Sequence, residues 1–107
     1  HKAEIHINHL IWSLREIIDT FEKPILDTLF MEIDTFLKIA KILDIADFID
    51  MFLLCLCLIL AYSKFDTNNL SLYVNYAEKC IDNIYKFDFS ELADTMRYVL
   101  SKILSQL

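Results

Sequence analysis

The chain contains no glycine, and this absence excludes several kinds of local structure. Tight hairpin turns and phosphate-cradling loops need a positive φ without steric cost, which glycine supplies most readily. The chain also has only one proline, Pro24, so helices are rarely interrupted. Together with the abundance of leucine, isoleucine, lysine and acidic residues, this composition predicts an all-α protein. It disfavours β structure and nucleotide-loop enzymes.

Cysteine is scarce, with three residues at Cys55, Cys57 and Cys80. An odd number of thiols in apolar surroundings favours reduced, buried side chains in the cytoplasm over a disulfide framework. Cys55 and Cys57 are two residues apart, which on a helix points them to nearly opposite sides. They therefore cannot act as a redox pair or jointly hold zinc.

Positive charge is also in short supply, because 10 basic residues stand against 16 acidic ones and the net charge is −6. A surface that follows phosphates carries the opposite sign. We therefore expect no nucleic-acid partner, and the balance disfavours binding to an anionic membrane.

Hydrophobic residues make up 56% of the 107 residues, which predicts a single domain over residues 1–107 with its own core. The segment 51–62 has no charged residue at all. A bilayer requires about 20 apolar residues. The segment is shorter, and extending it backwards brings in Asp47 and Asp50. We therefore predict a buried central helix and no membrane span.

Apolar positions recur every three and four residues along most of the chain, as in amphipathic helices. This period predicts helices at 3–22, 25–43, 47–64 and 70–85. A last helix is predicted to begin within residues 88–91 and to continue to residue 107. Pro24 fits either a turn or a kink. Asp47 and Asp50 are predicted to cap the third helix, and Trp12 to lie at the edge of the first apolar stripe. The expected fold is an antiparallel bundle of four to five helices, with two helical hairpins after an N-terminal helix.

Segments 47–50 and 88–91 lie 41 residues apart, and each opens a helix. Duplication of a helical hairpin and chance are equal alternatives here. The stretch 88–100, DFSELADTMRYVL, resembles a D-[YF]-x-x-L-A-D-x-x-x-Y-x-L pattern of uncharacterised small all-helical bacterial proteins. The copy at Asp47 departs from it, since Met51, Phe52 and Leu53 replace Leu-Ala-Asp. The resemblance implies a bacterial helical module and no particular activity.

Groups that could carry chemistry are few. His1, His6 and His9 cluster near the start, and the spacing of His6 and His9 suits a metal ion, although surface histidines are the favoured interpretation. Asp94 could pair with Arg97, while capping and solvation account for most carboxylates. No Ser/His/Asp arrangement can be assembled. We therefore predict no enzyme, no metal and no cofactor.

The apolar content exceeds what five short helices need, which favours a non-enzymatic protein-interaction module. An adaptor, a chaperone-like subunit and a homo-oligomer all fit, with a protein partner or a second copy as the other chain. Partly exposed aromatic residues suit such contacts. The predicted interface residues are Trp12, Phe52, Leu56, Tyr62, Phe65 and Tyr98. The alternative is a bundle that holds a lipid or another apolar ligand between its second, third and fifth helices.

Overall fold

The computed structural model of the protein describes residues 2–20, 22–65 and 67–107. These residues form α-helices joined by short links and contain no strand. The helices are α1 (Lys2–Ile18), α2 (Lys23–Lys38), α3 (Ile45–Phe65), α4 (Leu70–Lys86) and α5 (Ser90–Ser105). Two short 3-10 turns, Ala40–Ile42 and Thr67–Asn69, lie in the links that precede α3 and α4. The predicted all-α bundle is confirmed.

Helix α3 is the centre of the bundle, as the apolar run predicts. It contacts each of the other four helices and packs most extensively against α4, which in turn packs against α5. Of the residues 51–62, Leu53 and Leu54 keep some exposure, and all the others are buried. Neighbouring helices of the same chain thus cover nearly the whole run, and little of it remains for a second chain.

Length and composition alone would allow α3 to cross a membrane, since Ile45–Ser63 has a mean hydropathy of 2.2 over 19 residues. The apolar segment is thus longer than the uncharged run suggested. However, 61% of its most apolar window is buried inside the bundle. This burial is what a core helix needs, because an apolar helix in water must be covered by its neighbours.

Helix α2 runs antiparallel to α3. Asp27, near the start of α2, accepts a hydrogen bond from the Tyr62 hydroxyl near the end of α3, at 2.7 Å. At the other end of α2, Phe36 lines a cleft together with Met51 near the start of α3. Helix α1 ends at Ile18 and α2 begins at Lys23, so Pro24 lies in the first turn of a separate helix and does not kink a continuous one.

The cap of α3 is displaced by three residues from the predicted position. The backbone N–H of Asp44 donates to Oδ2 of Asp47, and the N–H of Asp47 donates to Oδ1 of Asp44, both at 3.0 Å. This reciprocal pair is a capping box, so the helix begins at Ile45, two residues before Asp47. Asp50 is an exposed residue one turn further into the helix. The predicted capping pair of Asp47 and Asp50 is wrong because Asp44, Asp47 and Asp50 follow one another at intervals of three residues. Either neighbouring pair therefore satisfies the spacing of a capping box.

The turn between α4 and α5 has an aspartate at a position where helices most often have glycine. Asp88 has a φ of 64°, in the left-handed region. Its N–H donates to the carbonyl of Tyr85, and the N–H of Phe89 donates to the carbonyl of Ile84. These two bonds form a Schellman motif, in which the left-handed residue is most often glycine. Asp47 instead lies inside the first turn of α3, so segments 47–50 and 88–91 differ in local structure.

Candidate interaction surface

Three of the predicted interface residues lie in the core. Phe52, Leu56 and Tyr62 are 3%, 0% and 6% exposed, because the bundle covers α3 around its circumference at these positions. They cannot contact another chain while the bundle is intact, which corrects the prediction for these three residues. The side chain of Phe65 lies outside the described residues. Trp12 and Tyr98 are exposed.

Trp12 lies on the outer side of α1 and not at the edge of the apolar stripe. The buried residues of α1 are Ile7, Ile11, Leu14 and Ile18. Trp12 and Ile5 face away from them, and the indole stacks on the His9 ring with centroids 5.9 Å apart. At 100° per residue, position 12 falls well over a quarter-turn from the centre of the buried stripe.

The histidines and cysteines hold no arrangement that points to chemistry. His6 and His9 are exposed, and His1 lies outside the described residues. Within the described part of the chain, no group of three metal-ligating side chains is close enough to hold an ion. All three cysteines are free and buried. The neighbouring Cys80 thiol and burial together raise the pKa of Cys55, and burial raises that of Cys57 to about 11, so both stay protonated at neutral pH.

Tyrosine hydroxyls bind aspartates at three places between helices. Besides the bond from Tyr62 to Asp27, Tyr76 of α4 donates to Oδ1 of Asp34 in α2, at 2.9 Å. Tyr85 of α4 donates to Asp94 of α5. Burial and the bond to Asp34 raise the pKa of Tyr76 to about 12. These hydrogen bonds join helices, so the polar groups nearest the core have structural roles.

Asp94 therefore bonds to a tyrosine and does not form the predicted pair with Arg97. The Arg97 guanidinium lies over the ring of Tyr85, 5.9 Å from its centroid, and 4.0 Å from the carboxylate of Asp82. The hydrogen bond to Asp94 raises the pKa of the Tyr85 hydroxyl. In this part of the chain, the residues that match the bacterial pattern join α4 to α5.

An exposed apolar surface lies at one end of the bundle, where the link between α2 and α3 meets the turn between α4 and α5. We call it the linker-end surface; it consists of Phe36, Ile39, Ile42, Phe87 and Phe89. The two links meet because the buried ring of Phe48, in the first turn of α3, contacts the ring of Phe87 at 6.1 Å between centroids. Sequence periodicity missed four of these residues, since helical stripes end where links begin.

Exposure is unusually high on the linker-end surface. Ile42 is 80% exposed, Phe89 50%, and the other three about 40% each. A whole side chain of this size has on the order of 200 Å² of surface, so these fractions amount to about 500 Å². Contiguous patches of this size on a monomer are often functional.

A cleft of about 390 Å³ opens on the linker-end surface. Leu43, Phe48 and Phe87 form its apolar wall, with Asn83 beside them. Lys41 and Lys86 also line it, and neither forms an ion pair among the described residues. None of the described residues that line this cleft carries a carboxylate. It thus combines apolar contact area with two uncompensated positive charges in an acidic protein.

A larger cleft of about 580 Å³ lies at the opposite end, where α1 and α5 terminate. Arg15 and Asp19 bring opposite charges to it, and the Arg15 guanidinium donates to the Gln106 side chain at 3.4 Å. Its polar groups are exposed and its charges balance. This cleft and that on the linker-end surface both open to solvent, and neither lies between α2, α3 and α5, where the alternative hypothesis placed an apolar ligand.

Comparisons with protein-family models, with curated proteins and with solved structures found no match for this chain. The function has to be inferred from the chain's own surface.

Proposed function

We propose that this chain is a small non-enzymatic interaction module that binds a partner protein through the linker-end surface. The observation that carries the proposal is the exposure of five large apolar residues in or next to the two links at one end of the bundle, where a cleft lined by Leu43, Phe48 and Phe87 opens. Burying about 500 Å² of apolar surface is worth on the order of 10 kcal/mol before the costs of association are subtracted. A bundle whose core is otherwise closed gains nothing for folding from leaving this area in water.

Two features support binding over catalysis. The thiols are buried and protonated, and the hydroxyls of Tyr62, Tyr76 and Tyr85 bind carboxylates that link helices. Catalytic groups need access to a substrate and a pKa matched to their task. The groups with raised pKa values here serve packing instead.

Site-specific photo-crosslinking tests the proposal. A photoreactive phenylalanine analogue replaces Phe89 or Ile42 in the cells that make the protein, and Ile5 on the outer side of α1 as a matched exposed control. We expect the same protein to be captured from Phe89 and Ile42 and not from Ile5. Purified, that protein should bind with a Kd of about a micromolar, since the patch is smaller than a stable interface.

Ile42→Ser should weaken this binding at least tenfold, because the most exposed apolar contact is lost, while Ile5→Ser leaves it unchanged. Circular dichroism should show the same helix content in both variants. Equal capture from Ile5, or equal binding by both serine variants, would contradict the proposal.

A further inference from the structure

We infer that the segment recognised by the linker-end surface is apolar and acidic: large apolar side chains flanked by carboxylates. This inference rests on the proposed function and adds the chemical class of the partner. It starts from the cleft, whose walls come from three separate parts of the chain, namely Leu43 before α3, Phe48 within it and Phe87 after α4.

The cleft accepts side chains and not a whole helix. Its volume of about 390 Å³ is at the lower end of small-ligand pockets. Ile42 lies between the lining residues Lys41 and Leu43 along the chain, and Phe89 follows Phe87 by two residues; 80% and 50% of their surfaces are exposed. An amphipathic segment that inserts its anchor residues into the cleft, and rests the remainder of its apolar face on Ile42 and Phe89, would cover both parts.

The charges that line the cleft determine which residues are favoured beside the apolar side chains of that segment. Lys41 and Lys86 line the cleft without an ion pair among the described residues. Asp44, the nearest carboxylate along the chain from Lys41, is held in the cap of α3. Asp88 follows Lys86 by two residues but does not line the cleft. Carboxylates on a bound segment would therefore meet uncompensated ammonium groups, which favours an acidic segment over a basic one.

A second copy and a membrane fit this surface less well. A symmetric pair of linker-end surfaces would bring like lysines together, which electrostatic complementarity disfavours. An anionic lipid surface would attract two lysines but repel a protein whose net charge is −6. A short acidic segment of another protein avoids both penalties.

Selection from a library of random 16-residue peptides displayed on phage tests the inference with the intact protein as bait. Clones that lose binding to Ile42→Ser but keep it to Ile5→Ser define the binders of this surface. We expect these clones to be enriched in Asp and Glu next to Leu, Ile or Phe. As synthetic peptides they should bind about tenfold more weakly to the double variant Lys41→Glu with Lys86→Glu, and equally to Lys102→Glu on α5.

The outcomes separate the two proposals. Surface binders enriched in basic residues, or unaffected by the lysine reversals, would overturn the acidic partner and leave the proposed function standing. Clones that bind Ile42→Ser and Ile5→Ser equally would contradict both. Binding of the protein to phosphatidylserine vesicles, lost in Ile42→Ser, would replace the acidic segment with a lipid surface.

Discussion

Replacing Asp88 with glycine should stabilise this protein, although glycine usually weakens helical proteins. Asp88 adopts a φ of 64° to close α4 with a Schellman motif. For residues with a Cβ atom, this conformation costs roughly 1–2 kcal/mol, and aspartate is among the residues that tolerate it best. Glycine removes that cost and keeps both backbone hydrogen bonds, since they involve only main-chain atoms.

The expected gain is smaller than the relieved cost, because glycine also increases the conformational entropy of the unfolded chain. That entropy offsets roughly 0.5–1 kcal/mol. We therefore expect Asp88→Gly to raise the free energy of unfolding by about 0.5 kcal/mol, and Tm by about 3 °C for a domain of this size. Urea unfolding, followed by the circular dichroism signal of the helices, resolves such a difference when the m-values of mutant and wild type agree.

Two matched variants separate backbone geometry from charge. Asp88→Asn removes the charge and keeps a residue that tolerates the left-handed region, so its stability should stay within about 0.5 kcal/mol of wild type. Asp88→Ala keeps the Cβ without a compensating side chain and should be about 1 kcal/mol less stable than Asp88→Gly. If alanine equals or exceeds glycine in stability, the left-handed turn at this position is refuted.

Three further predictions test the helix boundaries and the core. Asp44→Ala should cost about 1 kcal/mol of unfolding free energy by removing the capping box, while Asp50→Ala, which alters an exposed helical residue, should cost less than about 0.5 kcal/mol. In thermal or urea unfolding, Leu56→Ala should lose about 3 kcal/mol because its side chain is fully buried, and Leu53→Ala, at 37% exposure, less than about 1 kcal/mol; equal losses would contradict the position of α3. Tyr76 titrates near pH 10 when unfolded and at about 12 when folded, so folding stability should fall as pH rises through this window, and Tyr76→Phe should flatten the fall measured by urea unfolding at pH 9 to 12.

The fold could be predicted because the apolar residues along one face of a helix are buried together, and their spacing in the sequence shows that face. The apolar run at 51–62 has only one consistent environment in a protein of this size, the centre of a helical bundle, and α3 occupies it. Helix ends were less predictable. The capping box at Asp44 depends on which of several adequate polar residues captures the free backbone N–H groups, whereas α2 begins after Glu22 without a side-chain cap.

Three of the predicted interface residues are buried for a related reason. Periodicity places a residue on a face of its own helix, but it does not say which faces the other helices cover. Phe52 and Leu56 were therefore predicted to be interface residues and are core, whereas Trp12, also a predicted interface residue, is exposed.

The surplus of apolar residues is real, but it lies at the end of the bundle and not along its central helix. Lateral packing covers helix faces, and no helix is left to cover the links at residues 39–43 and 87–89. In a protein that needed only to fold, polar residues would be favoured there, as they are in the capped segment at Asp44. Ile42 and Phe89 instead extend into solvent. The contact with a partner that we propose gives these residues a physical role.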